Sequence, residues 1–188
     1  SSDVCSSDLS SVDRRAALGL GLVGLAAPSF AADDGAMSAP PLGHVATVRI
    51  NVAQAQEQGM IDGKRKRFIP ITGGTISGSR LNGIVLSGGG DWQAIHEDGL
   101  TEIFARYSLK TDDGITIGIT NPGVRVASPD VVRRIAAGED VPPSQYYFRS
   151  TPTFEVTDGA YAWLRRKVFV GRGIRRPDHV LLEIFEVG

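Results

Sequence analysis

From His44 onward, apolar and polar residues alternate over short runs separated by Gly, Asp, Asn and Pro, the pattern of half-buried β-strands joined by tight turns. His44–Val52 (HVATVRINV) predicts a strand, Phe68–Ile71 a short one bent by Pro70, and Thr75–Leu86 another. Leu100–Lys110 and Ile115–Thr120 flank Thr111-Asp112-Asp113-Gly114, a hairpin signal, and Asn121-Pro122-Gly123 predicts the next turn. Tyr146–Ser150, Thr153–Val156, Tyr161–Val170 and Val180–Val187 continue the series. One segment differs. Ser128-Pro129-Asp130 has a capping residue, a proline suited to the first helical position and an apolar face of Val131, Val132 and Ile135 before Gly138, which predicts a short helix. About eight to ten short strands and one helix define a mainly all-β fold, and the glycine-rich bends favour a single antiparallel β-barrel.

The N-terminal part breaks this pattern. Arg14-Arg15 precede the uncharged run Ala16–Ala27 and the small-residue sequence Ser29-Phe30-Ala31, the layout of a twin-arginine secretory signal too short to span a bilayer. Ser1–Leu9 resembles translated sequencing adapter, and the lone cysteine, Cys5, lies within it. The expected organisation is therefore an adapter-like stretch plus signal over 1–31, a polar tether over 32–43 and a barrel over 44–188, exported to the periplasm or secreted, with no membrane span in the mature form. Without Cys5 the domain has no thiol for a disulfide or a metal.

Composition narrows the function by exclusion. Removing Arg14 and Arg15 leaves 18 basic residues, and removing Asp3, Asp8 and Asp13 leaves 18 acidic ones, so the mature chain is formally neutral and offers no electrostatic case for nucleic acid. Lys64-Arg65-Lys66-Arg67 beside Asp62-Gly63 reads as a solvated hairpin loop. His44, His96 and His179 have no neighbouring carboxylate at ligand spacing, so no metal site and no cofactor is expected, although His96 is placed in a loop near the pocket rim.

The densest signal is Gly73–Gln93, GGTISGSRLNGIVLSGGGDWQ, with seven glycines in 21 residues. Glycine gives up more backbone entropy than any other residue, so such density requires bends or close approaches. With it go A-R-Y-x-L-x-T-D-D-G (Ala105–Gly114), Y-F-R-S-x-P-x-F-E (Tyr147–Glu155) and Y-x-W-L-x-R-x-x-F-V-G-x-G (Tyr161–Gly173). This ordered set resembles the family called domain of unknown function 3237 over His44–Val187, with Ser87 where a proline is expected. The resemblance implies a compact antiparallel barrel with an interior pocket.

Candidate chemistry follows from the polar residues. Asp91, after three glycines, is expected to act as a general base, to anchor a ligand or to close an Asx turn in its own loop, and Trp92 to join the core or to cover an aromatic ligand at the barrel mouth. Arg106 and Tyr107 must face opposite sides of their strand, and Tyr147 and Arg149 share a side, so periodicity leaves open which set points inward. Two functions remain. One is a binder of a small apolar or aromatic molecule, contacted by Trp92, Tyr107, Tyr147 and Trp163 and fixed by Arg106 or Arg149. The other is a cofactor-independent cyclase, isomerase or dehydratase with Asp91 as acid or base and Arg106 or Arg149 stabilising an anion, which requires Asp91 and an arginine to converge on one cavity. Assembly through a strand edge is disfavoured by closure, and no feature fixes the oligomeric state, with which a homo-oligomer is compatible.

Overall fold

The computed structural model describes residues 38–188; the adapter-like stretch, the arginine pair and apolar run, and the tether up to residue 37 lie outside the described residues. Eleven strands follow in order: β1 Leu42–Val52, β2 Gln56–Ile61, β3 Lys64–Ser77, β4 Gly83–Val85, β5 Gly89–Ile95, β6 Leu100–Thr111, β7 Thr116–Ala127, β8 Tyr146–Ser150, β9 Thr153–Glu155, β10 Phe169–Arg175 and β11 His179–Val187. Every pairing is antiparallel, and eight strands close a ring: β1–β3–β5–β6–β7–β8–β10–β11 and back to β1. Three short strands lie beside this ring, β2 on β3, β4 between β3 and β6, and β9 on β7. Among the described residues the expected mainly-β antiparallel barrel with one α-helix is what forms.

The first glycine cluster bends the longest strand. β3 pairs with β5 through Arg65–Ile71 and with β4 through Gly74–Ile76, and its register against β1 shifts where Thr72 is left without a partner. Gly73 and Gly74 have φ of +136° and +147°, and a Cβ on Gly74 would overlap the Arg49 carbonyl. Gly90 serves the other purpose, close approach: the Phe68 ring on the outer face covers it and occupies the space a side chain would need.

Alternation decides the core. Inward residues of one half of the barrel are Val48, Ile50, Ile71, Tyr107, Leu109, Ile117, Ile119, Leu182 and Ile184, all buried and contiguous with Leu81, Phe154, Leu164 and Phe169. That half is solid, with Phe154 and Phe169 edge to face at 5.0 Å. The helix α1, Pro129–Ala136, flanks the opposite end; the Ser128 hydroxyl accepts from the Val131 N–H, and Val131, Val132 and Ile135 are buried.

Four local expectations are corrected. The segment 75–86 is not one strand: β3 ends at Ser77, Asn82 exchanges two hydrogen bonds with the Gly78 backbone, and β4 starts at Gly83. Asn121-Pro122-Gly123 is not a turn but the middle of β7. Pro122 is tolerated because its carbonyl accepts from Thr151 N, so its missing donor faces the junction between β9 and β8, where no ladder bond is lost. Tyr161–Val170 is not a strand, because Ala162–Arg166 forms a 3₁₀ turn that delivers Leu164 to the core before β10 begins. Lys64–Arg67 is not a solvated loop; it opens β3 and alternates, so Arg67 turns inward. No helix among the described residues is long and apolar enough to cross a membrane.

Gly74→Ala combines a φ unfavourable to L-residues with backbone overlap, and should lower the unfolding free energy by about 1–3 kcal/mol or more. Gly43→Ala on β1, whose Cβ would meet nothing within 4 Å, should be close to neutral. Denaturant titration of both variants checks the expectation; equal midpoints would refute the strain assigned to Gly74.

Candidate functional site

The second half of the lumen is polar. In β3, Arg67 shares the inward parity of Ile69 and Ile71; in β5, Asp91 and Gln93 share that of Ile95. In β7, Asn121 and Arg125 continue the inward row of Ile117 and Ile119, and in β10, Arg175 follows Phe169, Gly171 and Gly173. Cross-strand register sets Arg67 opposite Gln93 and Asp91 opposite Ile69 on one side and Ala105 on the other. Arg125 and Arg67 are 1% and 3% exposed.

The hydrogen bonds run in one direction. Arg67 Nε and Nη2 donate to Gln93 Oε1 at 2.9 and 2.7 Å, and Gln93 Nε2 donates to Asp91 Oδ2 at 2.5 Å. Arg175 Nη1 donates to the His179 carbonyl at 3.2 Å. Beyond these, Asp91 Oδ1, Asn121 Oδ1 and Arg125 Nε and Nη2 are buried without a hydrogen-bond partner, and no ion pair among the described residues involves Arg67, Arg125 or Arg175. Burial pushes the Asp91 carboxyl above its ordinary range, and Gln93, Arg125 and Arg67 offset this in part. Burial likewise lowers the Arg125 guanidinium to about 10, assisted by the like charges of Arg67 and Arg175, while Asp91 opposes the shift. Arg67 and Arg175 are lowered chiefly for the same reason.

A cavity of about 470 Å³ opens onto this cluster, with Arg67, Ile69 and Arg175 among its inner lining. Val52–Ala55 at the end of β1, Glu57 on β2, the end of α1 from Ile135 to Gly138, and Pro177-Asp178 in the β10–β11 turn form its rim. Its mixed lining can hold a molecule with an apolar body and one polar end, and the pairing of a buried carboxyl with guanidiniums can move a proton or stabilise an anion.

Of the residues singled out in the sequence, the structure brings only Asp91 into this cluster. Arg106 lies on the outer face of β6, exposed, with Nη2 3.7 Å from Glu155 Oε2. Arg149 lies on the outer face of β8, its guanidinium 4.8 Å from the centre of the Tyr147 ring. The pairing of either with Asp91 is therefore corrected: the solid core takes the more apolar parity class inward and leaves both arginines outside. Trp92 (45% exposed) and Tyr147 (51%) are outer-face residues too, with Trp92 against Phe68 at 4.9 Å. Tyr107 does face inward but in the apolar half, where burial raises its hydroxyl pKa and leaves the hydroxyl without a partner. Trp163 packs partly buried against Phe169, with the Arg80 guanidinium 3.6 Å from its ring centre. His96 bonds Glu102 at 2.9 Å outside the cavity. Arg67, Gln93, Asn121, Arg125 and Arg175 were not candidates in the sequence; continuing the parity of Ile69-x-Ile71 back to Arg67 would have found the first.

These features define a closed eight-stranded barrel with an apolar half and a charged, open half. The chain belongs to the family described as protein of unknown function (DUF3237), whose model matches residues 40–187. It is 41% identical over 123 residues to a UPF0311 protein of Clostridium acetobutylicum, covering 65% of this chain and 78% of that one. A UPF0311 protein of Rhodopseudomonas palustris is 35% identical over 144 residues, covering 77% of this chain and 94% of that one. The crystal structure of a conserved protein of unknown function from the same species superposes with a TM-score of 0.74 over 79% of this chain and 99% of the other, at 34% identity. A β-barrel-like protein from Acinetobacter baumannii gives 0.69 at 37% identity, over 79% and 96% of the two chains.

The raised Asp91 pKa fixes the sign of one pH effect. A carboxyl whose folded pKa lies above its unfolded value contributes most below that unfolded value and loses the contribution as pH rises through the folded one. Asp91→Asn should therefore gain stability relative to the natural chain as pH rises from the ordinary aspartate value of 3.8 through the Asp91 titration. Thermal unfolding of both proteins across that range checks it, and a pH-independent difference would refute the raised pKa.

Proposed function

We propose that this protein binds a small, largely apolar or aromatic molecule in the charged half of its barrel, entering by the cavity between α1 and the β1–β2 and β10–β11 connections. The observation that carries the reading is the cluster of buried Arg67 and Arg125 and half-buried Arg175 around a single carboxylate, Asp91, at the foot of an open cavity. Buried charges without partners cost several kcal/mol, and a core built for stability alone would replace them with apolar side chains. The size and mixed lining of the cavity suit a molecule of one or two rings.

Proton transfer by Asp91 is a second reading, supported by one observation: its carboxyl is buried among guanidiniums that favour a developing negative charge nearby. Arg67 and Arg125 fill the role first sought in Arg106 and Arg149. The proposal also includes export, for which the arginine pair and apolar run of residues 14–27 speak. Cell fractionation of the full chain would test it.

Thermal-shift and native mass-spectrometry screening against aromatic acids, phenolics and terpenoid-like compounds should yield molecules that stabilise the natural chain. Ala137→Trp, an exposed change at the cavity rim, should abolish their effect, whereas Trp92→Ala and Tyr147→Ala should not. The reverse pattern would place binding on the outer face and refute the proposal. If Asp91 moves protons, a bound carbonyl compound should take up deuterium from the solvent with the natural chain and not with Asp91→Asn.

A further inference from the structure

We infer that the cavity takes a small organic acid, whose oxyanion is held by Arg67 and Arg175 while its hydrophobic body lies against Val52, Ile69 and Ile135. The inference rests on the binding reading above and adds the chemical class of the ligand.

Charge is the first argument. Three guanidiniums and one carboxylate face the same end of the lumen, an excess of two positive charges even with Asp91 ionised. Of the three, Arg67 and Arg175 line the cavity itself, and each is bonded only to a neutral acceptor, Gln93 Oε1 and the His179 carbonyl. Glu57 near Arg67 and Asp178 near Arg175 offset these charges through space, but each is hydrogen-bonded elsewhere. Glu57 accepts two hydrogen bonds from Arg65, at 2.9 and 2.8 Å, and Asp178 is bonded to His179 at 2.6 Å and Arg49 at 3.4 Å. At the end of α1 the carbonyls of Arg133, Arg134 and Ile135 already accept from Ala137, Glu139 and Gly138.

A cation would be repelled, and a neutral molecule would cover the two guanidiniums while leaving them unpaired, at a desolvation cost. An oxyanion removes that cost and gains charge-assisted hydrogen bonds. The lining selects among oxyanions. The cavity is mixed, and Val52, Ala53, Ala55, Ile69, Ile135 and Pro177 supply an apolar part of its wall, which an inorganic anion leaves bare and a hydrocarbon ring or chain covers.

Isothermal titration of the full chain with benzoate, cyclohexanecarboxylate, benzamide and inorganic phosphate tests this. The two carboxylates should bind, and benzamide, nearly the shape of benzoate without its charge, should bind about tenfold more weakly or worse. Arg175→Met and Arg67→Met should each weaken carboxylate binding by about tenfold or more, since each removes one charged donor group. The benzoate and benzamide comparison needs no variant, so it stands even if a substitution impairs folding. Equal binding of benzamide and benzoate, both blocked by Ala137→Trp, would overturn the organic-acid assignment and leave the cavity reading intact. Phosphate binding better than either carboxylate would overturn the apolar-body argument. Carboxylate binding indifferent to Ala137→Trp would overturn both readings, and no heat from either carboxylate at about 10 mM would overturn the inference.

Discussion

Because the sheet closes on itself, every second side chain of eight strands has to fit into a lumen of fixed bore, and the composition of those inward rows governs the rest of the molecule. In an open sheet Arg67, Asp91, Arg125 and Arg175 could reach solvent by sliding or fraying. In a ring they cannot, since a one-residue slip anywhere would turn the core outward. Closure therefore gathers four ordinary charged residues into one cluster facing the lumen, and the covalent continuity of β3, β5, β7 and β10 holds it in place.

The two halves of the lumen divide the labour. Between Tyr107, Leu109, Ile119, Leu182 and Phe169 the barrel is a packed hydrophobic core, extended by Leu81 and Leu164 from segments outside the ring. Apolar burial there supplies the stability that lets the other half retain buried guanidiniums. At the charged end α1 is a flank rather than a plug: it buries Val131 and Ile135 with Val141 and leaves the passage beside its last turn open. The 3₁₀ turn Ala162–Arg166, with Leu164, closes the apolar end more completely.

Much of this could be read from the chain. Ser128-Pro129 marked the helix because capping is local chemistry, and Thr111–Gly114 marked a hairpin because its turn residues act locally too. Pro122 misled for the same reason. Its tolerance depends on a gap between β8 and β9, strands that come after α1 in the chain, and no local rule contains that information. Ending the strand at Asn121 then hid Arg125 and Asn121, and placing Lys64–Arg67 in a loop hid Arg67. The parity of β6 and β8 was ambiguous because each strand offers one apolar and one mixed face. Only the requirement that all eight rows share one lumen excludes Arg106 and Arg149 from it.

The misplacement of those two arginines has a physical lesson. Arg106 and Arg149 have what an exposed arginine needs, a carboxylate for one and an aromatic ring for the other, with solvent around both. Arg67 and Arg125 lack these. Arg67 is bonded to a neutral amide that relays to Asp91, and the Nε and Nη2 donors of Arg125 have no acceptor at all. Partnered charges at a surface contribute little and are easily replaced, whereas unpartnered charges in a closed lumen are a standing free-energy cost. A cost carried inside an otherwise well-packed barrel, on the side where the barrel is open, is most simply offset by a molecule that enters from that side. The proposed anion would therefore be held inside, beside guanidiniums that outnumber the one carboxyl of the cluster, rather than by the aromatic residues displayed on the outside.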